Sequence, residues 1–396
     1  MVKVKIERLN DQLEGIGYVD GKIIFIPKTS VGDEVDVDIT FESKSFLRGK
    51  VISNFKNVDC PYFYNCGGCD LRFMPYDKTI ELKKSNLEYL LNKNKIEFKD
   101  INIYKNELIK NYRNKISLKV VDGKIGFYED KSNLITKIDS CLIAKEEINK
   151  FINVINSFKI NNGFITIRCN YNDELLIIIE TKDNIDFDFS SLKETFKIAG
   201  VILNNKVVLN DNFFFDKINN YLFKVSYDSF FQVNNYCAGK IFDIITDNIN
   251  SSDKVLDLYS GVGTLSICAA KKALSVTGVE VVKNAVLNAL VNKDINKTNN
   301  VEFILGDVPK VITKINQEFN TFIFDPPRAG LDKFTIDFTL DKKPEKIIYV
   351  SCNPITLVRD LSLLKELYKV NSVNLIDMFS YTHHYETVVV LEKDVI

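Results

Sequence analysis

The N-terminal part of the chain alternates apolar and polar positions in short runs. The runs are VKVKIERL, YVDGKIIFIP, EVDVDIT and LRGKVIS, and turn residues such as glycine separate them. Alternation with a period of two and glycine at the corners predicts a small five-stranded β-barrel over residues 1–57. Such a barrel either binds oligonucleotides or serves as a packing module, and the pattern leaves both interpretations open.

Residues 58–220 mix two periodicities. Helical spacing of apolar residues predicts helices over residues 76–95 and 144–158, whereas strand patterns cover residues 115–121, 165–167 and 175–180. This mixture predicts a central α+β domain. Its first helix could pack against the domain that follows.

From about residue 221 onward, apolar strands alternate with helices. KVLDLY, LSVTGVE, VEFIL, TFIFD and EKIIYVS have the character of strands, and stretches such as NAVLNALVNK and ITLVRDLSLLKE are helical. This order indicates a mostly parallel, doubly wound sheet. The predicted class is therefore α/β, with a Rossmann-like third domain at residues 221–396 behind the barrel and the α+β domain.

Composition and charge bear on the expected location and partners of the protein. The chain has 396 residues, of which 45% are hydrophobic, and a net charge of −1. The sequence shows neither a signal peptide nor an apolar run of bilayer-spanning length, so we expect a cytoplasmic protein without a membrane partner. Charge is unevenly spread, since residues 72–119 contain twelve Lys and Arg against six Asp and Glu. This run is either a solvated helix face or a phosphate-binding surface.

The first strand of the third domain leads into DLYSGVGTL, where Gly261 and Gly263 permit a tight turn. A lone G-x-G could be only a strand-to-helix connection. The second strand, however, ends at Glu280, where an acid can accept both hydroxyls of a ribose. Because the third glycine of the dinucleotide pattern is missing, the sequence favours another nucleoside-containing cofactor.

Two further acids follow strands of this domain. Asp307 comes after the third strand, and Asp325 opens DPPR after the fourth. The arrangement resembles the class I S-adenosylmethionine-dependent methyltransferases, in which the acid after the second strand holds the ribose and the acid after the third lies near the adenine. Asp307 could also be an ordinary turn acid.

The fifth strand ends at the sequence SCNP, and a helix follows. Cys352 is expected at an edge of the sheet beside that helix N-terminus, whose partial positive charge favours a thiolate. Most single cysteines are small buried hydrophobes. Carbon 5 of uracil, however, reacts only after a soft nucleophile adds to carbon 6, and a base must then remove a proton. Glu386 is either that base or a strand-end acid, and the neighbouring His383 and His384 are turn residues or, less simply, metal ligands.

Cys60, Cys66 and Cys69 form C-x5-C-x2-C, and two glycines between them let the chain wrap closely around a ligand. Thiolates so close in sequence indicate a metal, with Cys141 as the candidate fourth ligand. A disulfide framework is not expected in a reducing compartment. Zinc, an iron–sulfur cluster and unrelated buried cysteines all remain open from the spacing.

Five motifs occur together, namely FFQVN at residues 230–234, DLYSGVGTL, DPPRAGL, SCNPITLVRD and HHYET. Their combination resembles the 5-methyluridine RNA methyltransferase family over essentially the whole chain. The resemblance implies that Cys352 is the nucleophile, that Glu386 is the base and that S-adenosylmethionine is the cofactor. The implied cofactor contacts are Gln232, Tyr259, Gly261, Thr264, Glu280, Asp307 and Asp325. Ser380 departs from the family pattern, in which proline is expected, and this leaves the rigidity of its loop open.

The 23S ribosomal RNA branch of that family carries a four-iron four-sulfur cluster on this cysteine pattern, and the N-terminal barrel resembles a TRAM domain. The resemblance therefore implies a cluster held by Cys60, Cys66, Cys69 and Cys141. It also implies RNA as the partner, gripped in part by residues 72–119 and 104–216. Because the transfer RNA branch generally lacks both barrel and quartet, 23S ribosomal RNA is the expected substrate. No obligate protein partner is implied.

Three alternatives accompany this interpretation. The first is a transfer RNA uridine methyltransferase. The second is an RNA-binding iron–sulfur protein with a silent methyltransferase domain, which would be expected to have lost part of the nucleophile, base and cofactor set. The third, an adenine N-methyltransferase, could use the D-P-P motif but would not need Cys352.

Overall fold

The computed structural model describes residues 1–52 and 56–394. The strands of its N-terminal sheet are β1 (Val2–Lys5), β2 (Arg8–Leu9), β3 (Gly15–Val19), β4 (Lys22–Ile26), β5 (Glu34–Glu42) and β6 (Phe46–Val51). They are arranged in the order β1-β5-β6-β4-β3-β2. β1 and β2 are two parts of one bent strand. The residues between them keep the pairing continuous, because the Ile6 amide donates to the Asp33 carbonyl and the Glu7 amide donates to the Ile16 carbonyl. This bent first strand borders both β5 and β3, which closes the predicted barrel.

Between the first and second sheets, the chain forms α1 (Tyr76–Lys93) and β7 (Ile101–Tyr104), which pack with the third sheet. The order of the second sheet is β10-β9-β8-β11-β12-β13-β14. The elements are β8 (Lys115–Val121), β9 (Lys124–Tyr128), β10 (Ile135–Lys137), α2 (Glu146–Ile155), β11 (Gly163–Cys169), β12 (Glu174–Thr181), β13 (Lys197–Leu203) and β14 (Lys206–Asn210). Helix α2 buries Ile148, Phe151 and Ile152 against one face, and this core holds the unit together.

The third domain begins with an antiparallel hairpin, β15 (Phe213–Ile218) and β16 (Tyr221–Ser226). Its further elements are α3 (Asn235–Asp247), β17 (Lys254–Leu258), α4 (Thr264–Ala269), β18 (Ser275–Glu280), α5 (Lys283–Ile295), β19 (Val301–Leu305), α6 (Val308–Val311), β20 (Thr321–Phe324), α7 (Lys333–Lys342), β21 (Lys346–Ser351), α8 (Pro354–Leu364), β22 (Tyr368–Ile376) and β23 (Glu386–Lys393). The eight-stranded sheet has the order β19-β18-β17-β20-β21-β23-β22-β7. Only β23 runs antiparallel to its neighbours, so the predicted doubly wound α/β class is confirmed.

The third sheet takes its last strand from the first half of the chain. β7 pairs in parallel with β22, and α1 packs Leu87, Leu90 and Leu91 into the core on that side of the sheet. The boundary expected at residue 220 falls within the β15–β16 hairpin. Within the described ranges, no helix combines the length and the apolar character that a membrane crossing requires.

Candidate active site

The loop after β17 leaves open space at the carboxyl end of the sheet. Tyr259 has a φ of 69° and Gly261 a φ of 55°, both in the left-handed region. The Tyr259 and Ser260 amides both donate to the Val279 carbonyl at 3.0 Å, which holds the turn against β18. A Cβ added at Gly261 would meet no atom within 4 Å, so this backbone borders a free volume. The loop can therefore admit a ligand close to its main chain.

Glu280, at the end of β18, faces this loop. Its Oε2 accepts the Gly261 amide at 2.9 Å, and its Oε1 accepts the Val282 amide at 2.7 Å. Each carboxylate oxygen has a second lone pair, so both can still accept a ribose hydroxyl. The two backbone bonds hold the carboxylate against the Tyr259–Gly261 turn.

Two buried carboxyl groups lie at neighbouring strand ends. Burial raises the pKa of Asp325, after β20, to about 7, and it also raises the pKa of Asp257, on β17, to about 7. Ser266 donates to one oxygen of Asp257, while the other has no hydrogen-bond partner among the described residues. A buried polar atom without a partner fits a site completed by a ligand.

The remaining expected cofactor contacts lie around the same edge. Thr264 is the first residue of α4, and Asp307 precedes α6 and forms an ion pair with Lys310 at 3.3 Å. Gln232 lies between β16 and α3, and its carbonyl accepts the Asn114 side chain at 3.1 Å. Tyr259 donates its hydroxyl to Asp332 at 3.1 Å. The structure therefore distributes these residues over loops that border one edge of the sheet.

Cys352 and Glu386 lie next to each other at adjacent strand ends. Cys352 directly follows β21, and Glu386 opens β23, whose next residue, Thr387, pairs with Ser351. The Glu386 side chain is buried, and both burial and the charge of Asp325 raise its carboxyl pKa well above the usual range. The fold thus brings the expected nucleophile and base together.

The expected preference of Cys352 for the thiolate is not met. Burial raises the pKa of its thiol to about 11, and the neighbouring carboxylates of Glu386 and Asp325 raise it in the same direction. Asn353 caps α8 directly after it, but two acids and burial outweigh the partial charge of one helix end. Arg328 acts in the opposite direction on both Cys352 and Glu386.

Sequence reasoning missed Arg328 as a site residue. Its carbonyl accepts the Asn353 side chain at 3.0 Å, and its guanidinium lies 3.1 Å from Nδ1 of His384. This arginine is part of the DPPR motif, but no sequence signal indicated that it lies beside Cys352 and Glu386. It is a cation that favours the ionised forms of both the nucleophile and the base.

The two histidines occupy structural positions. Nδ1 of His383 lies 2.7 Å from Oδ2 of Asp70, and the ring centroids of His383 and His384 are 3.8 Å apart with their planes inclined at 46°. Burial and the positive charges of His383 and Arg328 lower the pKa of His384 to about 3, so this ring is neutral. Over the part of the chain that the structure describes, no three His, Cys, Asp or Glu residues are grouped to hold a metal ion.

Cys60, Cys66, Cys69 and Cys141 line a single cavity of about 360 Å³. Arg72, Arg113 and Lys115 line the same cavity. Burial raises the pKa of Cys66 to about 11 and raises that of Cys69 further. The cavity therefore combines four thiols with three cationic side chains.

Ser380, which replaces the expected proline, is fully buried. Its hydroxyl donates to Asp377 at 2.6 Å and accepts from Asn106 at 3.0 Å, while its carbonyl accepts the Tyr112 hydroxyl at 3.2 Å. Hydrogen bonds thus fix the backbone where a proline ring would have restricted it.

The fold and the cofactor side of this site define a class I S-adenosylmethionine-dependent methyltransferase. Residues 75–307 and 309–394 match the family model "tRNA (Uracil-5-)-methyltransferase", and residues 1–52 match the TRAM domain. The chain belongs to the tRNA (uracil-5-)-methyltransferase family. It is thus an S-adenosylmethionine-dependent RNA methyltransferase of the uracil-C5 type.

Similar proteins agree in length as well as in class. An uncharacterized RNA methyltransferase of Caldanaerobacter subterraneus is 33% identical over 99% of this chain and 98% of its own length. One from Clostridium acetobutylicum is 32% identical over 99% and 96%. The crystal structure of Pyrococcus abyssi tRNA (uracil-54, C5)-methyltransferase with S-adenosyl-L-homocysteine has a TM-score of 0.79 and 27% identity, covering 98% of this chain and 100% of that one.

Proposed function

We propose that this chain methylates carbon 5 of a uridine in RNA through a covalent bond between Cys352 and carbon 6, and that Glu386 releases the product. The observation that carries the proposal is the side-by-side placement of Cys352 and Glu386 at the ends of β21 and β23. The open loop at Gly261 borders the same edge of the sheet. The nucleophile, the general base and the cofactor can therefore all reach the same uracil ring.

The chain's own residues account for the individual steps. The Cys352 thiolate adds to carbon 6, which makes carbon 5 nucleophilic. Glu280, the Tyr259–Gly261 turn and Asp325 would hold S-adenosylmethionine, with Gln232, Thr264 and Asp307 at the periphery. The bound cofactor would supply the methyl group that carbon 5 attacks, and S-adenosylhomocysteine would be the leaving group. Glu386 then takes the carbon 5 proton, the carbon 5–carbon 6 double bond re-forms, and the sulfur leaves as thiolate.

Both reacting groups must ionise for this sequence to run. In the free protein, burial raises the pKa of both the Glu386 carboxyl and the Cys352 thiol, which disfavours their ionised forms. Arg328 lowers the pKa of each, and we assign it the role of favouring the thiolate and the carboxylate during catalysis.

The test of the mechanism compares Cys352→Ala with Glu386→Gln. Both should lose turnover, but only Glu386→Gln should accumulate a methylated protein–RNA adduct that survives denaturing electrophoresis, because an amide cannot accept the proton. An adduct in Cys352→Ala, or near-normal turnover in Glu386→Gln, would show that the roles are assigned to the wrong residues.

The proposed substrate is 23S ribosomal RNA, and transfer RNA is the second candidate. The expectation that a barrel marks the ribosomal branch is weakened, because a transfer RNA enzyme aligns with 98% of this chain, barrel included. The argument for ribosomal RNA now rests on the cysteine quartet. Mass-spectrometric mapping of 5-methyluridine in both RNAs, with and without the gene, decides between them, and loss confined to transfer RNA would refute the ribosomal assignment.

We further propose that the four cysteines hold a four-iron four-sulfur cluster. The four thiols line one cavity of about 360 Å³, and Cys60, Cys66 and Cys69 are close in sequence with two glycines between them. A zinc site needs four sulfurs about 2.3 Å from one centre, whereas a cluster presents four separate iron corners. Arg72, Arg113 and Lys115 would offset the negative charge of four thiolates. A reducing cytoplasm, the proposed location, suits this chemistry.

Metal analysis of anaerobically purified protein tests the cluster. We expect about four iron and four sulfide per chain, lost in Cys66→Ala. Cys169→Ala, which changes a buried cysteine in the same region outside the cavity, should retain them. Stoichiometric zinc without iron would overturn the proposal.

A further inference from the structure

The segment that carries the base to its position is residues 377–385, here called the base segment, between β22 and β23. At its centre, Tyr381 has a φ of 64°, a left-handed conformation that costs a non-glycine residue free energy. Such a conformation persists only where surrounding contacts fix it. The contacts around Tyr381 therefore determine how the chain enters Glu386.

The backbone contacts of Tyr381 with another segment come from the cysteine-rich loop, residues 60–71, while Arg72 and Tyr76 pack against its ring. The Asp70 and Leu71 amides both donate to the Tyr381 carbonyl, at 3.1 and 2.9 Å. The Asp70 carboxylate accepts the His383 amide at 3.1 Å and lies 2.7 Å from its Nδ1. One residue, Asp70, thus contacts the base segment through both its backbone and its side chain.

The loop is itself anchored on its other side by the barrel. Lys28, which is 5% exposed, donates to the Phe63 carbonyl at 2.6 Å and to the Cys66 carbonyl at 2.7 Å. The loop is therefore held at two points, and a displacement of Asp70 would be transmitted to the base segment rather than absorbed by the loop.

We propose that Asp70, acting through Tyr381 and His383, is a positioning residue for Glu386 and controls the release of the methylated uridine. This inference rests on the proposed function. Addition of sulfur to carbon 6 and attack of carbon 5 on the methyl group need no contact with Glu386. Only the last step does, in which the carbon 5 proton passes to the carboxylate, its electron pair re-forms the double bond and the carbon 6–sulfur bond breaks. A displaced base therefore slows the release step.

The experiment compares Asp70→Ala with Asp341→Ala, which removes an exposed carboxylate on α7. With S-adenosylmethionine and an RNA oligonucleotide, Asp70→Ala should lower kcat at least tenfold and accumulate the denaturation-resistant adduct. KM for RNA should fall with kcat, so that kcat/KM changes little, because only the step after adduct formation is slowed. Asp341→Ala should behave as the unaltered protein does.

Two variants of His383 keep the inference open to refutation should Asp70→Ala fail to fold. His383→Phe removes the contact from the opposite side and should also trap the adduct. His383→Asn, whose amide can donate to Asp70, should restore at least part of the release rate.

Unchanged kcat in Asp70→Ala and His383→Phe, or reduced kcat without adduct, would overturn the positioning role. Glu386→Gln serves as the reference. If it traps adduct while the Asp70 and His383 variants do not, this inference alone fails; if it traps none, the proposed function fails with it.

Discussion

At the scale of single residues, Cys352 is held in its unreactive form. A free thiol with a pKa of about 11 is almost fully protonated at neutral pH. Protonation protects the nucleophile from alkylation and oxidation while no substrate is bound. The proposed mechanism therefore requires a group that favours the thiolate when RNA binds, and Arg328 is suitably placed to do so.

Replacing Arg328 by Gln should raise the pKa of Cys352 further, because the opposing positive charge is removed. At pH 8.5 the thiolate fraction falls, and alkylation of Cys352 by iodoacetamide should slow roughly 3- to 10-fold, corresponding to half a pKa unit to one unit. Peptide mass spectrometry distinguishes Cys352 from the other thiols. Arg8→Gln, on the barrel, is the control, and an equal rate in both variants would contradict the role of Arg328.

The individual site residues were predictable to different degrees. Glu280 ends a strand, Glu386 begins one and Cys352 directly follows one, so the alternation of strands and helices was enough to predict that they lie at one edge of the sheet. Asp70 and His383 lie 313 positions apart, and no local pattern joins them. The raised pKa of Cys352 also depends on burial and on neighbours that only the fold brings together.

At the scale of elements, a buried ion pair attaches α1 to the end of β22. Lys83 and Asp377 are fully buried, and their charged atoms are 2.5 Å apart. Asp377 also accepts the Tyr76 hydroxyl at 2.7 Å and the Ser380 hydroxyl at 2.6 Å. The base segment therefore begins from a fixed point on α1.

Lys83→Met should destabilise the protein by about 3–5 kcal/mol, because it leaves the Asp377 carboxylate buried without its cation. The double variant Lys83→Met/Asp377→Asn should recover part of that loss. Lys84→Met, which removes an exposed ion pair with Asp100, should cost no more than about 1 kcal/mol. Urea unfolding measures all three, and equal losses for the two single variants would refute the buried pair's contribution.

Most elements followed from periodicity. The apolar run VEFIL coincides with β19, and the expected helix over residues 76–95 corresponds to Tyr76–Lys93. β7 was not predicted, because its four residues, INIY, are too few to show a period. Its strand character comes from β22, which supplies the hydrogen-bonding partner from the other end of the chain.

At the scale of the whole molecule, a net charge of −1 conceals a cationic surface beside the cysteine cavity. Lys119 lies 3.5 Å from the centroid of the Phe164 ring, and that ring is 42% exposed. A cation beside an open aromatic face suits RNA, which offers a phosphate to one and a base to the other.

Lys119→Ala should weaken RNA binding and reduce the slope of log affinity against log salt by about 1, as expected for one lost phosphate contact. Fluorescence anisotropy with an RNA oligonucleotide at several KCl concentrations gives this slope. Lys206→Ala, at the far edge of the second sheet, is the control. Identical slopes for the two variants would exclude Lys119 from the RNA surface.

The pairing of β7 with β22 also has a consequence for biosynthesis. Asn102 on β7 meets Asn374 on β22, 272 residues later. At about 5–20 residues per second, the ribosome needs roughly 15–55 s to produce that partner. The barrel can fold during this interval. The apolar side of α1, with Leu87, Leu90 and Leu91, cannot be buried until the strands of the third sheet have been synthesised. For that time the nascent chain presents an apolar surface of the kind that chaperones bind, because its partner strands have not yet been synthesised.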